Sequence, residues 1–221
     1  IRDFALDFIG VRVYYDEPTV CIEDGGCFFT IQEAIDDASE GDTINVGAGT
    51  YEENLEIEQA LTLRGNPGNA SVGPANNAPV IWDIDCDNTI SIYVSNVTIS
   101  GFEIVNDCDE YTIYIGSSMD NVTITDNLIR NGYNGIYING STNTIIQRNE
   151  IRNNDYGIYL RGDVSGSQIK NNNIHDNGEG ISSGGGVSFD TLSISSNQIT
   201  NSDDGYGIYF NGFSNGALTI S

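Results

Sequence analysis

The sequence predicts an all-β fold, a single-stranded parallel β-helix in which one chain climbs through stacked coils of short strands. Three recurrences carry this prediction. The stretch "NGYNGIYING" at 131–140 returns as "NNDYGIYLRG" at 153–162, and the isoleucines of this motif, Ile113, Ile136, Ile158, Ile181 and Ile208, are 23, 22, 23 and 27 residues apart. Two further series keep the same phase: Ile99, Ile124, Ile146, Ile169, Ile194 and Ile220, and Ile104, Ile129, Ile151, Ile174 and Ile199. Units of roughly 20 to 30 residues, each with two or three short alternating apolar pieces between Asn/Gly turns, mark a solenoid that buries its apolar faces by stacking. Asparagine follows the same period: Asn127, Asn149, Asn172 and Asn197 fall at one turn, where stacked amides can hydrogen-bond from coil to coil and satisfy a buried bend.

Alternation along each strand decides what faces the core, because successive side chains point to opposite faces. In "VTIS" (97–100) and "VTIT" (122–125) the Val and Ile point inward and the hydroxyl residues outward. In "GIYI" both isoleucines point inward, which leaves Tyr93, Tyr114, Tyr137, Tyr159 and Tyr209 as an outer aromatic face. Residues 1–42 precede the coils. They contain a strand-like alternation in "ALDFIGVRVYY" and then a helix over 29–40, with Thr30 and Glu33 as a capping box, an apolar stripe of Ile31, Ala34, Ile35 and Ala38, and Gly41 as the stop. Such a stripe must cover an apolar surface, and the lower mouth of the solenoid supplies one. From Thr43, residues 43–221 make about seven coils at this period, open at the C-terminal end.

The segment "FTIQEAIDDASEGDTINVGAGTYEENLEI" followed by "LTLRGN" resembles the opening of the pectin-lyase-like superfamily of right-handed parallel β-helices, and the later "N-x-I … G-I-Y" coils resemble the short repeats of the same group. The resemblance runs from residue 28 to the end and implies right-handedness and an N-terminal capping helix. It specifies fold more than function, since the superfamily contains lyases, hydrolases, esterases, epimerases, phage spikes and surface proteins. The family's galacturonan hydrolases carry Asn-Thr-Asp, Asp-Asp, Gly-His-Gly and Arg-Ile-Lys; here Asp203-Asp204 is present, but His175 sits in "NIHDN" and the nearest basic triplet is Gln168-Ile169-Lys170. "DFIG" at 7–10 imitates the esterase Asp-Phe-Ile-Phe-Gly but precedes the cap helix. "VIWDIDCD" has the acids of a calcium-dependent lyase without its arginine, and the epimerase Asp-Pro-His-Glu is missing. The resemblance is therefore to the non-catalytic, surface-protein type.

Charge narrows the partners. A formal charge of −24 with one lysine, Lys170, excludes nucleic acid, whose phosphates would be repelled. No apolar run approaches the roughly 18–20 residues of a membrane span, and the chain opens on Ile1 without a charged-then-apolar leader, so any export signal is expected to be removed or to lie outside this sequence. Cys86 and Cys108, both in "DCD" triplets, are 22 residues or one coil apart. Coils about 4.8 Å apart lie within disulfide reach, and Cys21 and Cys27 then close a small loop around "IEDGG". Two bridges and no odd thiol point outside the cytoplasm. Asp83, Asp85, Asp87, Asp107 and Asp109 crowd around the second bridge; Ca²⁺ is the one ion they suggest, against the plainer reading of a solvated acidic patch, and no other cofactor is expected.

Four other features are candidates for function. Arg130, Arg152 and His175 each follow the third isoleucine series by one residue and stack on one outward face beside Asp155, Asp176 and Glu179; if an enzyme is hidden here, these cations would hold a uronate and supply a general base, whereas the plainer reading is surface ion pairing. The tyrosine face suits sheet stabilisation, contact with another copy, or stacking against sugar rings, although Ser182 interrupts it. Asn69, Asn96, Asn121 and Asn139 lie in Asn-x-Ser/Thr sequons. Finally, Leu218 and Ile220 begin a new coil, and the alternating Phe4, Leu6, Phe8, Val11 and Val13 could pair there as strands from a neighbouring molecule. The expectation is an extracellular or cell-surface structural β-helix without catalysis, assembling head to tail with itself. Its alternative is a carbohydrate-active or glycan-binding β-helix of a larger exported protein, lyase- or hydrolase-like.

Overall fold

The computed structural model of the 221-residue chain describes residues 2–4, 13–15, 19–65, 73, 77–200, 202, 205–214 and 216–221. Its parallel strands form three long sheets. The tyrosine sheet stacks Leu55–Ile57, Ile90–Ile92, Tyr111–Ile115, Asn134–Asn139, Tyr156–Arg161, Glu179–Ser183 and Tyr206–Phe210. The hydroxyl sheet stacks Thr43–Val46, Thr62–Arg64, Thr98–Ser100, Thr123–Thr125, Ile145–Gln147, Ser167–Lys170, Thr191–Ser195 and Ala217–Ile220. The cationic sheet stacks Thr50–Glu52, Val80–Trp82, Glu103–Val105, Leu128–Arg130, Glu150–Arg152, Asn173–His175 and Gln198–Thr200. The chain visits hydroxyl, cationic and tyrosine sheets in that order seven times among the described residues, and enters an eighth coil at Ala217.

The three isoleucine series are vertical columns. Ile99, Ile124, Ile146, Ile169, Ile194 and Ile220 pair coil on coil in the hydroxyl sheet. Ile104, Ile129, Ile151, Ile174 and Ile199 do so in the cationic sheet. Ile113, Ile136, Ile158, Ile181 and Ile208 complete the core from the tyrosine sheet. Through the middle coils these side chains are wholly buried, each worth about 1.5–3 kcal/mol of transfer free energy, while Ile220 in the last strand is 56% exposed. Glycine precedes Ile136, Ile158 and Ile181 for a steric reason. A Cβ on Gly135, Gly157 or Gly180 would lie 2.7, 2.6 or 2.4 Å from the carbonyl oxygen of the glycine one coil above.

Bends are satisfied by asparagine. The Nδ2 of Asn127, Asn149 and Asn172 donates to the Oδ1 of the next asparagine up, at 3.2, 3.1 and 2.9 Å, and to the carbonyls of Ile99, Ile124 and Ile146. Each amide oxygen also accepts a backbone N–H, from Phe102, Asn127 and Asn149 in turn, closing the polar accounts of a dry corner. A second ladder, Asn154 on Asn177, repeats this at the next bend, which the sequence pattern left unassigned. Beside both ladders the chain turns through left-handed residues, Asp126, Arg148, Asn171 and Ser196 at one corner and Asn131, Asn153 and Asp176 at the other. Asn and Asp tolerate that conformation better than other side chains.

The base differs from expectation. Val20–Ile22 pairs antiparallel with Thr43–Val46 and with Cys27–Phe28, so the hydroxyl sheet continues beneath the first coil and crosses the expected boundary at 42/43. The helix spans Ile31–Asp37 rather than 29–40, and ends on Ala38, not Gly41; the extended Ala38 turns its N–H back to the carbonyls of Ala34 and Ile35. Thr30 Oγ1 accepts from Glu33 N at 3.2 Å as the capping box requires. The N–H groups of Ile31 and Gln32 are taken by the Glu53 carboxylate of the first coil, at 2.8 and 2.9 Å, placing a negative charge at the positive end of the helix and clipping the cap to the solenoid. Ile31, Ala34 and Ile35 are buried beneath it. Arg2–Phe4 and Val13–Tyr15 pair antiparallel with each other as a separate ribbon, and Leu6, Phe8 and Val11 lie outside the described residues.

Candidate functional site

The tyrosine sheet carries the richest surface. Tyr114, Tyr137 and Tyr159 stack in register, with ring centroids 5.7 Å apart at each step and planes within 11° and 7° of parallel. Tyr93 tilts against Tyr114, and Tyr209 stands one coil beyond Ser182, which is in register with Tyr159 below it and Tyr209 above. Alternation placed all five on the outside. Tyr137, though outward, is only 7% exposed, because its faces are covered by its neighbours. One covering ring is Tyr111, stacked 4.6 Å from Tyr137 at 5°. Tyr156 packs edge-on against Tyr159 and against Tyr133. Tyr111, Tyr133 and Tyr156 escaped the reading by alternation, which sends Tyr111 and Tyr156 inward with Ile113 and Ile158. They sit where the chain leaves the bend, and their spacing of 22 and 23 residues was the available signal.

Together these rings wall a cleft of about 350 Å³ lined by Tyr111, Tyr133, Asn134, Tyr137, Tyr156, Tyr159, Arg161, Gly184 and Gly185. Burial and the neighbouring phenols push Tyr111 and Tyr159 above the usual tyrosine range and Tyr156 up to about 12. Arg161 is hydrogen-bonded to the Tyr137 hydroxyl, which holds its guanidinium charged. At Gly184 a Cβ would come 2.8 Å from the Tyr159 hydroxyl, so a larger residue there would press the end of the Tyr159 side chain aside. Asn134 is 2% exposed, and its Oδ1 is a buried acceptor with no partner among the described residues.

On the cationic sheet, Arg130, Arg152 and His175 do stand in one column. Each is held by carboxylates. Arg130 Nη2 lies 2.7 Å from Glu103, Arg152 Nε lies 3.1 Å from Glu150 Oε1, and His175 lies 3.4 Å from that same oxygen and 2.6 Å from Asp176. Asp155 is exposed at the following bend, whereas Glu179 belongs to the tyrosine sheet, where the Ser182 hydroxyl donates to it. The arrangement is a ladder of ion pairs rather than an open base beside an open cation, and pairs of this exposure are worth up to about 1 kcal/mol each.

Cys86 and Cys108 are joined across one coil with Cα atoms 5.2 Å apart, and Cys21 is joined to Cys27. Among the surrounding acids only Asp83 is buried; it accepts from Asn54 Nδ2 at 2.6 Å and from the backbone N–H of Asp87. Asp85, Asp87, Asp107 and Asp109 are exposed, and Asp107 accepts from Asn131. Among the described residues the one convergence of potential ligand atoms is Asp83 with the two bridged cysteines, which does not fit the six to eight oxygens that Ca²⁺ takes. Of the sequons, Asn96 and Asn121 are exposed on adjacent coils with Asn121 Nδ2 donating to Asn96 Oδ1, Asn139 is half-buried and donates to the Tyr114 hydroxyl, and Asn69 lies outside the described residues, as do Asp203-Asp204 and residues 7–10. No described helix is long and apolar enough to cross a membrane.

Comparison with known proteins agrees with this geometry. A cell surface glycoprotein of Methanothermus fervidus is 38% identical over 111 residues, a match covering 48% of this chain and 16% of that protein. Among solved structures, a pectin methylesterase in complex with a hexasaccharide aligns over 88% of this chain and 86% of its own at 13% identity and a TM-score of 0.47, and the Dettilon tailspike protein over 86% and 42% at 12% and 0.46. The model of the right-handed β-helix region matches residues 78–220. With that match spanning all but the lowest coils, and with three parallel sheets in register around one core, the chain belongs to the right-handed β-helix family.

Proposed function

We propose that this chain is a structural module of an exported cell-surface protein, a stiff rod that presents its three outer sheets to the medium and performs no catalysis. The likeness to a cell surface glycoprotein at 38% identity carries the reading. Two disulfides support it, because such bridges persist in oxidising compartments. A charge of −24 spread over a solenoid suits a surface element that must stay soluble at its sides while stacking along its axis. The finer part of the proposal is stacking itself: a second copy adding a parallel strand along the axis of the hydroxyl sheet would build a head-to-tail assembly. Repulsion between acidic copies makes this assembly salt-dependent.

Gold-labelled antibody to the folded chain, applied to intact producing cells, tests the location. Labelling of intact cells is the expected result; reactivity only after lysis overturns the proposal. Light scattering in low and high salt tests the stacking, which fails if the particle mass stays that of one chain in both.

A further inference from the structure

We infer that Asn96 is the attachment site of an N-linked glycan, and that the folded chain selects it over the sequons at Asn121 and Asn139. The inference rests on the exported reading above, because such glycans are placed on surface loops of secreted chains. Asn96, Asn121, Asn143 and Gly166 occupy one bend on successive coils, two residues before Thr98, Thr123, Ile145 and Gln168, which pair in register in the hydroxyl sheet. All four turn through the left-handed region, with φ of 63°, 58°, 48° and 73°. Asparagine and glycine both serve such a turn. The turn itself needs no hydroxyl two residues on, since Ile145 and Gln168 follow it in the upper coils, whereas Asn96 and Asn121 are followed by Thr98 and Thr123. At those two coils the pairing of amide with hydroxyl exceeds what the backbone asks for.

Geometry then separates the sites. At this bend each amide donates to the coil beneath, Asn143 Nδ2 to Asp120 Oδ1 at 2.7 Å and Asn121 Nδ2 to Asn96 Oδ1 at 2.9 Å. Asn96 ends the ladder. Beneath it, two residues before the Thr62 that pairs with Thr98, stands Ala60, whose side chain offers no acceptor. The Asn96 Nδ2 is consequently without a partner among the described residues, on an exposed side chain. Alternation puts the Thr98 hydroxyl on the same outer face, with Val97 between them wholly buried, and the Asn96 N–H is fixed to Asp120 O at 3.0 Å. Asn139 is the opposite case. Its Nδ2 donates to the Tyr114 hydroxyl at 3.0 Å, and the hydroxyl of its sequon, on Ser141, is buried and bonded to Met119 O at 3.1 Å. Asn121 is intermediate, exposed but with its nitrogen turned onto Asn96. In the attachment step Asn96 Nδ2 bonds the anomeric carbon of a lipid-linked glycosyl phosphate, the carbon–oxygen bond to phosphate breaks, the phosphate leaves with the bonding pair, and one Nδ2 proton passes to solvent. Asn96 Oδ1 stays an acceptor, so the product keeps its bond from Asn121. The glycan then stands off the side of the rod, at the corner between tyrosine and hydroxyl sheets, and leaves the axis clear for stacking.

The test is glycopeptide mass spectrometry of protein from its producing cells, digested without reduction. A glycan mass on Asn96, at higher occupancy than on Asn121 or Asn139, is expected. Thr98→Val, returned to the same cells, should abolish modification of Asn96, and Thr98→Ser should restore it. The Thr98 hydroxyl has no partner among the described residues, so both variants should fold, and the Cys86–Cys108 linkage in the same digest shows that they do. A bare Asn96, an occupancy on Asn121 or Asn139 that equals or exceeds it, or a glycan on Asn96 that survives Thr98→Val overturns the inference. The disulfides keep the two proposals apart: a bare Asn96 beside intact bridges sinks this one alone, whereas four free thiols sink the exported reading as well.

Discussion

Truncating Asn149 to alanine should be among the most damaging single changes at the bend of a coil. Its side chain makes four hydrogen bonds in a fully buried corner: Nδ2 donates to Ile124 O and Asn172 Oδ1, and Oδ1 accepts from the N–H and the Nδ2 of Asn127. Two of the partners survive the change, because Asn127 Nδ2 keeps Ile99 O and Asn172 Oδ1 keeps the backbone N–H of residue 149. The Asn127 N–H loses its partner, while the Ile124 carbonyl, which sits within the hydroxyl sheet, loses only its side-chain donor. At about 1–3 kcal/mol for the buried group left unpaired, with about 1 kcal/mol for the other lost bonds, Asn149→Ala should cost roughly 3 kcal/mol. That is a large part of the 5–15 kcal/mol or so that holds a typical domain folded. Asn197 makes equivalent bonds at the top of the ladder but is half-buried, so water can replace them and Asn197→Ala should cost about 1–2 kcal/mol. Urea unfolding followed by circular dichroism gives both numbers. A cost below about 1 kcal/mol for Asn149→Ala, or equal costs for the two variants, would refute the view that the ladder rather than the apolar columns satisfies the bend.

Other outcomes follow from the same geometry. Gly157→Ala forces a Cβ to within 2.6 Å of Gly180 O and should cost about 1–3 kcal/mol by denaturation, whereas Gly185→Ala, with open space around it, should cost little. Replacing Cys86 and Cys108 by serine frees a loop of 22 residues and should lower stability by about 3 kcal/mol on the chain-entropy relation, read from the same urea curves. Because Tyr156 is pushed up to about 12 in the fold, its neutral form is the stabilised one: the contribution is complete below pH about 10 and lost as pH rises towards 12, so the tyrosinate absorbance of Tyr156, read as the difference between this chain and Tyr156→Phe, should appear in step with alkaline unfolding rather than before it. Removing Ca²⁺ with a chelator should leave the unfolding midpoint unchanged, since four of the five acids near the second disulfide stand in solvent; a drop would show that they close on an ion.

Most of the architecture was legible because a solenoid writes its geometry as a period. An isoleucine at 124 has to recur at 146 and 169 if each coil is to bury one, and an asparagine at 127 has to recur at 149 for the same reason, so spacing alone gives the vertical register. The base was harder to read, for it breaks the period. Val20–Ile22 joins the sheet antiparallel, and the helix stops at Asp37 because Ala38 turns its N–H back before the glycine is reached. The cleft was half legible. Alternation found Tyr114, Tyr137 and Tyr159, but Tyr111 and Tyr156 occupy the first residue of their strands, where the bend overrides alternation, and Tyr133 lies in the bend itself. Arg161 and Asn134 acquire meaning only beside those rings, which three-dimensional neighbours reveal and residue types do not. Conversely, the column of Arg130, Arg152 and His175 was read correctly as a column, yet its chemistry depends on Glu103 and Glu150, whose rotamers decide that the charges are spent on each other.

The account rests on coils stacked one residue series above another in a protein that matures outside the reducing cytoplasm, and a single measurement reaches both parts. Protein taken from its native cells under alkylating conditions, digested without reduction and mapped by mass spectrometry, should yield a Cys21–Cys27 peptide and a Cys86–Cys108 peptide with no alkylated cysteine. The second linkage can form only if residues one coil apart lie side by side, and an oxidising compartment is where both bridges form and persist. Four alkylated thiols would contradict the surface assignment, and a linkage between the two pairs, such as Cys27 with Cys86, would contradict the stacking itself.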